Sequence, residues 1–504
     1  MSFSGPTNRR NVPANPFMVP AVIEDLKYRW NWKRINEYAP DAARPDEDPE
    51  SFPWADITEV VPGEADVYVA EAAKVFDASV LTGDSDLLLH DLGPNGSVIF
   101  YDSIQTVESE PSESYQLIAS ELSQRAVSKR FGLTNFQRLG FELQTNPGAS
   151  MMTLVQRSKE YSDPEPSDLY RAFLKEYEAP SHRHMPGSEQ AILDPRVLEL
   201  CLQYEIPEFR SDSEAPHVYL PLMIENHARR CAWAEGREIR TLGYSLFDVS
   251  FSKVNVSQRV MEYYRKGERV TPTAVALLGR KNIESAVTEL LQRMNSIDLP
   301  CGKETVIFWK VFALNEIWCP SEKNNNPVLD SAGIKQFLEK GHAGGRVSWE
   351  DLHLHAQVHA VLYSLKMLKD LATATLPRLD GIMKESTMQV LDSLSELPTM
   401  RNLLQSRCDL RSEPRPEGSV ERAVQALSKL LGQNYGDCDS GSDKASSPSQ
   451  VTKNAQEKQS STEEEFRTST PRRNKKKRPA PATGSTQRMS KKSMNIYDIL
   501  GDTN

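Results

Sequence analysis

The hydrophobic pattern divides the chain into a short α/β stretch, a long helical stretch and a tail with almost no aliphatic side chains. Val22, Ile23 and Leu26 recur at helical spacing, with Pro20 suited to a first turn, which predicts a helix over Pro16–Trp30. Four prolines among many carboxylates make 39–54 a loop. After the Pro62-Gly63 turn, Ala65, Val69, Ala72 and Ala73 form a small apolar face, predicting a helix over Glu64–Phe76. Ser79–Thr82 reads as a short apolar strand, Gly83–Asp86 as a loop leading into Leu87–Leu89, and Ser97–Tyr101 as a further strand. That order predicts an α/β arrangement, a parallel sheet with helices on its faces.

Beyond Ser114 the period turns helical. Helices are predicted over Ser114–Phe131, Val197–Leu202, Tyr219–Ala234, Ser257–Lys266, Glu284–Met294, Trp309–Ile317, Leu352–Ala374, Met383–Leu397 and Val420–Leu431. Pro272, Pro300 and the Asn324-Asn325-Asn326-Pro327 run act as breaks. The pattern therefore gives a disordered lead (1–15), a partial α/β domain (16–160), a mainly helical domain (161–433) and a disordered basic tail (434–504).

Composition refines this picture at three points. No run of eighteen apolar residues exists, and Arg9 and Arg10 are followed by no apolar stretch, so neither a membrane span nor a secretory signal is expected. Cys201, Cys231, Cys301, Cys319, Cys408 and Cys438 are scattered with no C-x-x-C pair, which points away from a zinc ribbon or disulfide framework and toward a reducing compartment. Net charge is −10, but the tail from Asn434 holds thirteen Lys/Arg against nine Asp/Glu, a net of +4, leaving −14 on the remainder. An acidic body with a basic tail assigns contact with polyanions, or with an import receptor, to the tail.

Two acidic pairs carry the chemistry: Glu64 and Asp66 in P-G-E-A-D, and Asp84 and Asp86 in T-G-D-S-D. Taken singly, a D-x-D loop is a solvated turn, and acids in a first helical turn merely complement the helix dipole. Together they lie beside the carboxyl end of a predicted strand, where open α/β sheets place their sites. Carboxylates gathered there repel one another unless a hard cation neutralises them, and paired Mg²⁺ ions clamping a phosphodiester are one use of such a cluster.

The run P-G-E-A-D, a short strand, then L-T-G-D-S-D-L-L resembles the internal region of the flap-endonuclease and xeroderma-group-G (XPG) nucleases, whose fold is PIN-like. Further stretches resemble the asteroid group of that superfamily, fungal type: Pro16–Ile23, Gly236–Arg240 with Leu242–Leu246, and Val260–Gly267. The resemblance spans roughly 13–290. It implies Mg²⁺ as cofactor, nucleic acid as partner, and Glu64, Asp66, Asp84 and Asp86 as metal ligands. It also implies further aspartates, from an N-terminal strand and from a downstream G-x-D-Y. Here the acids before Glu64 lie in a helix or Pro-rich loop, and the downstream position reads Leu139-Gly140-Phe141-Glu142-Leu143. The expected site is therefore incomplete, held by a weak or inactive nuclease fold that serves as a nucleic-acid-related scaffold. If gene prediction has truncated the N-terminus, an active Mg²⁺-dependent structure-specific endonuclease is the alternative.

Weaker features stand beside these. His355 and His359 share a helix face with His353 nearby, but the sequence His-Ala-Gln-Val-His lacks the Glu of H-E-x-x-H, so a polar helix face is expected. Ile496, Ile499 and Leu500 in 494–500 fit one helical face for a protein partner, or are a chance cluster. Arg472, Arg473, Lys475, Lys476, Lys477 and Arg478 read as a nuclear import signal or a phosphate contact. We expect a nuclear protein. Replacing Lys475, Lys476, Lys477 and Arg478 with Ala in a fluorescent fusion is expected to abolish nuclear accumulation. Unchanged accumulation would refute the import role.

Overall fold

The computed structural model describes residues 15–39, 47–55, 57–61, 64–109, 114–160, 167–178, 193–205, 215–251, 258–300, 302–318, 328–404 and 418–436. The basic run at 472–478, the apolar 494–500 segment and the rest of the expected tail lie outside these residues. In chain order the elements begin with α1 (Met18–Tyr28), α2 (Trp32–Tyr38), α3 (Ala65–Phe76), β1 (Ser79–Thr82), β2 (Ser97–Phe100), β3 (Gln105–Ser109), β4 (Ser114–Ile118) and β5 (Glu121–Leu122). Next come α4 (Gln124–Phe131), α5 (Phe136–Thr145), α6 (Met151–Glu160), α7 (Asp168–Glu176), α8 (Pro195–Glu205), β6 (His217–Tyr219), α9 (Arg237–Ser250), β7 (Arg259–Lys266) and β8 (Arg269–Ala276). The remainder is helical: α10 (Arg280–Asn295), α11 (Val306–Trp318), α12 (Ser331–Lys340), α13 (Trp349–Thr375), α14 (Gly381–Ser393), α15 (Met400–Leu404) and α16 (Ser419–Gly436). The molecule is thus mixed α/β with small sheets and a helical C-terminal region. No described helix is long and apolar enough to cross a membrane.

Two compact units emerge, one drawn from 1–69 and 179–440, the other from 70–178. The boundary cuts α3, but that helix is continuous, and its buried Ala70 and Ala73 belong to the core of the smaller unit. In this unit β1 and β2 pair in parallel, from Ser79↔Ser97 to Thr82↔Phe100. β5 pairs antiparallel to β2. The sheet is therefore mixed, which corrects the expectation of a purely parallel one. The helix expected over Ser114–Phe131 also needs correction. Its first part is β4, paired to β3 with Gln116 opposite Val107, and then β5. The helix begins only where the Ser123 side chain caps it by accepting from Ala126 N at 3.1 Å.

The larger unit is built round α13, most of whose side chains are buried. α9 packs closely on it through two glycines. A Cβ on Gly236, which sits at φ +69°, would lie 2.7 Å from Ser364 Oγ, and one on Gly243 would lie 3.0 Å from Leu371 Cδ1. Two further predicted helices prove to be something else. Within Tyr219–Ala234 the chain leaves β6 as irregular loop and makes only a 3-10 turn at Ala232–Ala234. Within Ser257–Lys266 it forms β7, the centre of a sheet ordered β6-β7-β8, parallel to β6 and antiparallel to β8. The period-2 pattern Val260-Glu262-Tyr264 was hidden because one of its three core-facing residues is a glutamate.

That glutamate is half of a fully buried ion pair. Arg240 on α9 donates to Glu262 through Nε at 2.6 Å and Nη2 at 3.0 Å, and neither side chain is exposed. The other guanidinium hydrogens reach Ser364 Oγ (2.8 Å), the Glu235 carbonyl (3.2 Å) and the Trp233 carbonyl (2.8 Å). Tyr244 donates to Glu262 at 3.0 Å. Burial alone would lower the Arg240 pKa, but the Glu262 charge outweighs it and raises it. A second pair, Arg265 with Glu225 at 2.7 Å, ties β7 to the loop after β6, and Cys231 donates to the same carboxylate at 3.2 Å.

The three histidines of α13 do not form the solvated polar face expected. His353 is buried, with Nδ1 3.7 Å from Glu225 Oε2. His355 donates to the Gly341 carbonyl. His359 lies 6.0 Å, centroid to centroid, from Phe17, and burial pushes its pKa down to about 3. They are packing residues, and they join no candidate metal group among the described residues.

Removing one partner of a buried pair strands the other charge. Arg240→Ala or Glu262→Gln is expected to cost about 3–5 kcal/mol in urea unfolding, while a double apolar replacement costs much less. Single losses within ~0.5 kcal/mol, as at an ordinary surface position, would contradict the assigned role.

Candidate metal centre

The site grows from the junction of α3, β1 and the segment after it. α3 starts at Ala65, so Asp66 stands in its first turn, where unpaired backbone N–H groups favour a carboxylate. The helix ends at Asp77, which takes a left-handed φ of 50° to turn the chain into β1. β1 stops at Thr82, whose Oγ1 accepts from Asp84 N at 3.0 Å. Asp86 then opens a 3-10 turn, Asp86–Leu89.

This turn is anchored from below. Leu87, Leu88 and Leu89 are buried, and glutamine side chains hold their carbonyls: Gln124 Nε2 to Leu88 O at 2.9 Å, Gln137 Nε2 to Leu89 O at 3.1 Å. A Cβ on Gly140 of α5 would sit 2.4 Å from Leu89 Cδ2, so only glycine admits this approach. The acidic loop is thus carried on a packed base at the carboxyl end of a parallel strand.

Asp66, Asp84 and Asp86 each offer a carboxylate oxygen, and these oxygens all lie within 4.8 Å of one another. Asp84 is exposed and the other two are half-buried. The Asp84 carboxyl is held below its ordinary range, first by a hydrogen bond with the Asp86 side chain and further by the Asp86 and Ser85 backbone N–H groups. Two acids in such contact either share a proton or share a cation. Three hard oxygens that are open to solvent fit Mg²⁺ or Mn²⁺, which retain water and accept phosphate oxygens in their remaining positions. Glu64, exposed immediately before α3, is not in the group.

The downstream acid has a different role. Glu142 sits in α5, buried, and accepts from Arg138 Nη2 at 3.3 Å and Asn146 Nδ2 at 3.1 Å. Arg138 in turn lies over the Tyr170 ring, 4.6 Å from its centroid. Glu142 is therefore part of the packing of α5.

The carboxylate cluster at a strand end in a mixed α/β unit is a candidate divalent-cation site. A family model described as XPG domain containing matches residues 14–277, just over half of the chain, and the chain belongs to that family, within the XPG-like nuclease superfamily. The small α/β sheets are consistent with its PIN-like fold. No curated protein and no solved structure gives a match.

Mn²⁺ titrated calorimetrically into the protein is expected to bind, and Asp84→Asn or Asp86→Asn to weaken it at least ~10-fold, as loss of a ligand or its support does. Glu64→Gln should change it little. Equal affinity in all three variants would remove the assignment.

Proposed function

We propose that this chain is an asteroid-type protein, fungal in type, whose nuclease-derived unit keeps a reduced metal site. The protein acts as a nucleic-acid-associated scaffold with weak or no hydrolytic activity. The observation that carries this reading is the size of the acidic group: three carboxylates among the described residues, with Glu142 engaged elsewhere. Two-metal hydrolysis needs both ions held about 4 Å apart, one activating water and one stabilising the leaving oxygen. Three acids suffice for one hard cation and hold a second poorly. A single Mg²⁺ on Asp66, Asp84 and Asp86 would neutralise the cluster and dock a phosphate without completing the second role.

The partners follow from the same reading. Nucleic acid is the partner of the metal site. The basic run Arg472–Arg478 serves an import receptor and nuclear residence, and 494–500 a protein groove. A second reading, an active structure-specific endonuclease, draws on the placement of the acids at the carboxyl end of paired parallel strands.

The test is incubation of the pure protein with flap, single-stranded and hairpin substrates in Mg²⁺ or Mn²⁺. Cleavage is expected to stay near background, with Asp84→Ala indistinguishable from the parent. Robust cleavage lost in Asp84→Ala would establish the endonuclease instead.

A further inference from the structure

The larger unit carries a second feature that the metal site does not use. The inner face of the β6-β7-β8 sheet holds Val260, Glu262 and Tyr264, which are buried. The outer face carries an aromatic row. Tyr219 of β6 is opposite Tyr263 of β7, which is opposite Pro272 of β8. The two tyrosine rings stack at 4.5 Å with an interplanar angle of 26°, and His217 meets both edge-on at 5.4 and 6.1 Å. Tyr219 is 52% exposed and Pro272 is exposed. An aromatic surface of this kind, left open on a rigid sheet, needs an account.

We propose that this face is a stacking platform for single-stranded nucleic acid. The inference deepens the nucleic-acid reading above and rests on it only for the class of partner. Each base has a π-face that stacks on tyrosine without regard to sequence, and sheet-borne aromatics bind unpaired bases in this way. Cations stand at the two ends of β7. Exposed Lys266 and Arg269 pair across the hairpin end of β7 and β8, and exposed Arg259 starts β7 at the other end. Glu268 in the hairpin turn offsets one of these charges. Arg259 shares the strand parity of Tyr263, whereas Lys266 and its partner Arg269 share that of Glu262; in a chain of net charge −10, cations at both ends of β7 suit a polyanion that runs along the strand past the tyrosines. A peptide strand added to the sheet suits this site less, because Pro272 in the middle of edge strand β8 has no N–H to offer.

The sheet is also well fixed for the purpose. Leu220 N donates to Tyr263 O at 3.0 Å, and Gln203 brackets His217 with hydrogen bonds to its backbone N–H (2.8 Å) and carbonyl (2.9 Å). Tyr219 and Tyr263 are thus positioned before any ligand arrives, which lowers the ordering cost of binding.

The experiment is fluorescence anisotropy of full-length protein with labelled 12-nucleotide oligo-U and oligo-dT, in 150 mM salt with EDTA. The chelator removes any contribution from the carboxylate cluster. Tyr219→Ala and Tyr263→Ala are each expected to weaken binding about tenfold, the scale of one lost stacked base. Tyr219→Phe and Tyr263→Phe should keep the parental affinity, since stacking survives loss of the hydroxyl. Lys266→Glu with Arg269→Glu should flatten the salt dependence. Because the chelator removes any cation-bridged contact, failure of the platform and failure of the metal-site reading are read separately. The basic run in the tail adds a contribution that the tyrosine variants leave alone. If Tyr263→Ala unfolds, half-exposed Tyr219 decides alone. Crosslinking with iodouridine oligonucleotide should mark the peptide holding Tyr219 or Tyr263. Alanine variants that bind like the parent, no binding by the parent, or crosslinks confined to other peptides would each overturn the proposal.

Discussion

A single buried charge organises the larger unit. Arg240 has no exposed surface, and a guanidinium taken out of water is tolerated only if its donors and charge are met. Here they are met by Glu262, Ser364 and the carbonyls of Glu235 and Trp233, which come from β7, α13 and the turn before α9. Ser364 accepts from Arg240 and also donates to the Ala360 carbonyl at 2.6 Å, so its hydroxyl is used on both sides. The network sets how close α9 comes to α13, and Gly236 and Gly243 are the residues that make that distance reachable. It also fixes the register of β7, because Glu262 must point inward. Tyr263 next to it then points outward, into the aromatic row. The inner ion pair and the outer aromatic row follow from one strand alternation.

The acidic cluster obeys the opposite rule. Asp66, Asp84 and Asp86 bring carboxylate oxygens within 4.8 Å of one another, and hydrogen bonds with the Asp86 side chain and two backbone N–H groups hold the Asp84 carboxyl below its ordinary range. Such an arrangement is stable on a rigid base, which the buried Leu87–Leu89 turn supplies, and it is relieved by a cation. The two sites therefore use charge differently: one encloses it to lock the fold, the other leaves it open to solvent.

Much of this was legible in the chain. The Ala-rich face of α3, the strand Ser79–Thr82 and the long apolar period of α13 were readable because propensity and burial agree there. The acids Asp84 and Asp86 were readable because they follow a strand directly. The sheet β6-β7-β8 was not, because Glu262 and Arg265 interrupt the hydrophobic alternation and their partners, Arg240 and Glu225, are distant in sequence. The stretches Gly236–Leu246 and Val260–Gly267 looked like family signatures. Physically they are the two sides of the Arg240–Glu262 pair, with Arg237 bonded to Tyr264 as well. The histidines of α13 misled because spacing shows a shared face but not whether that face meets water or Phe17 and Phe337. Glu142 gave no sign of its partner Arg138 beyond the i,i+4 spacing.

A metal site reduced to one ion, as proposed above, has a direct crystallographic signature. Anomalous diffraction from crystals of the protein grown in Mn²⁺ tests it most directly. One strong peak is expected within coordination distance of Asp66, Asp84 and Asp86. Two peaks about 4 Å apart, the spacing of a complete two-metal centre, or no peak at the cluster, would contradict it.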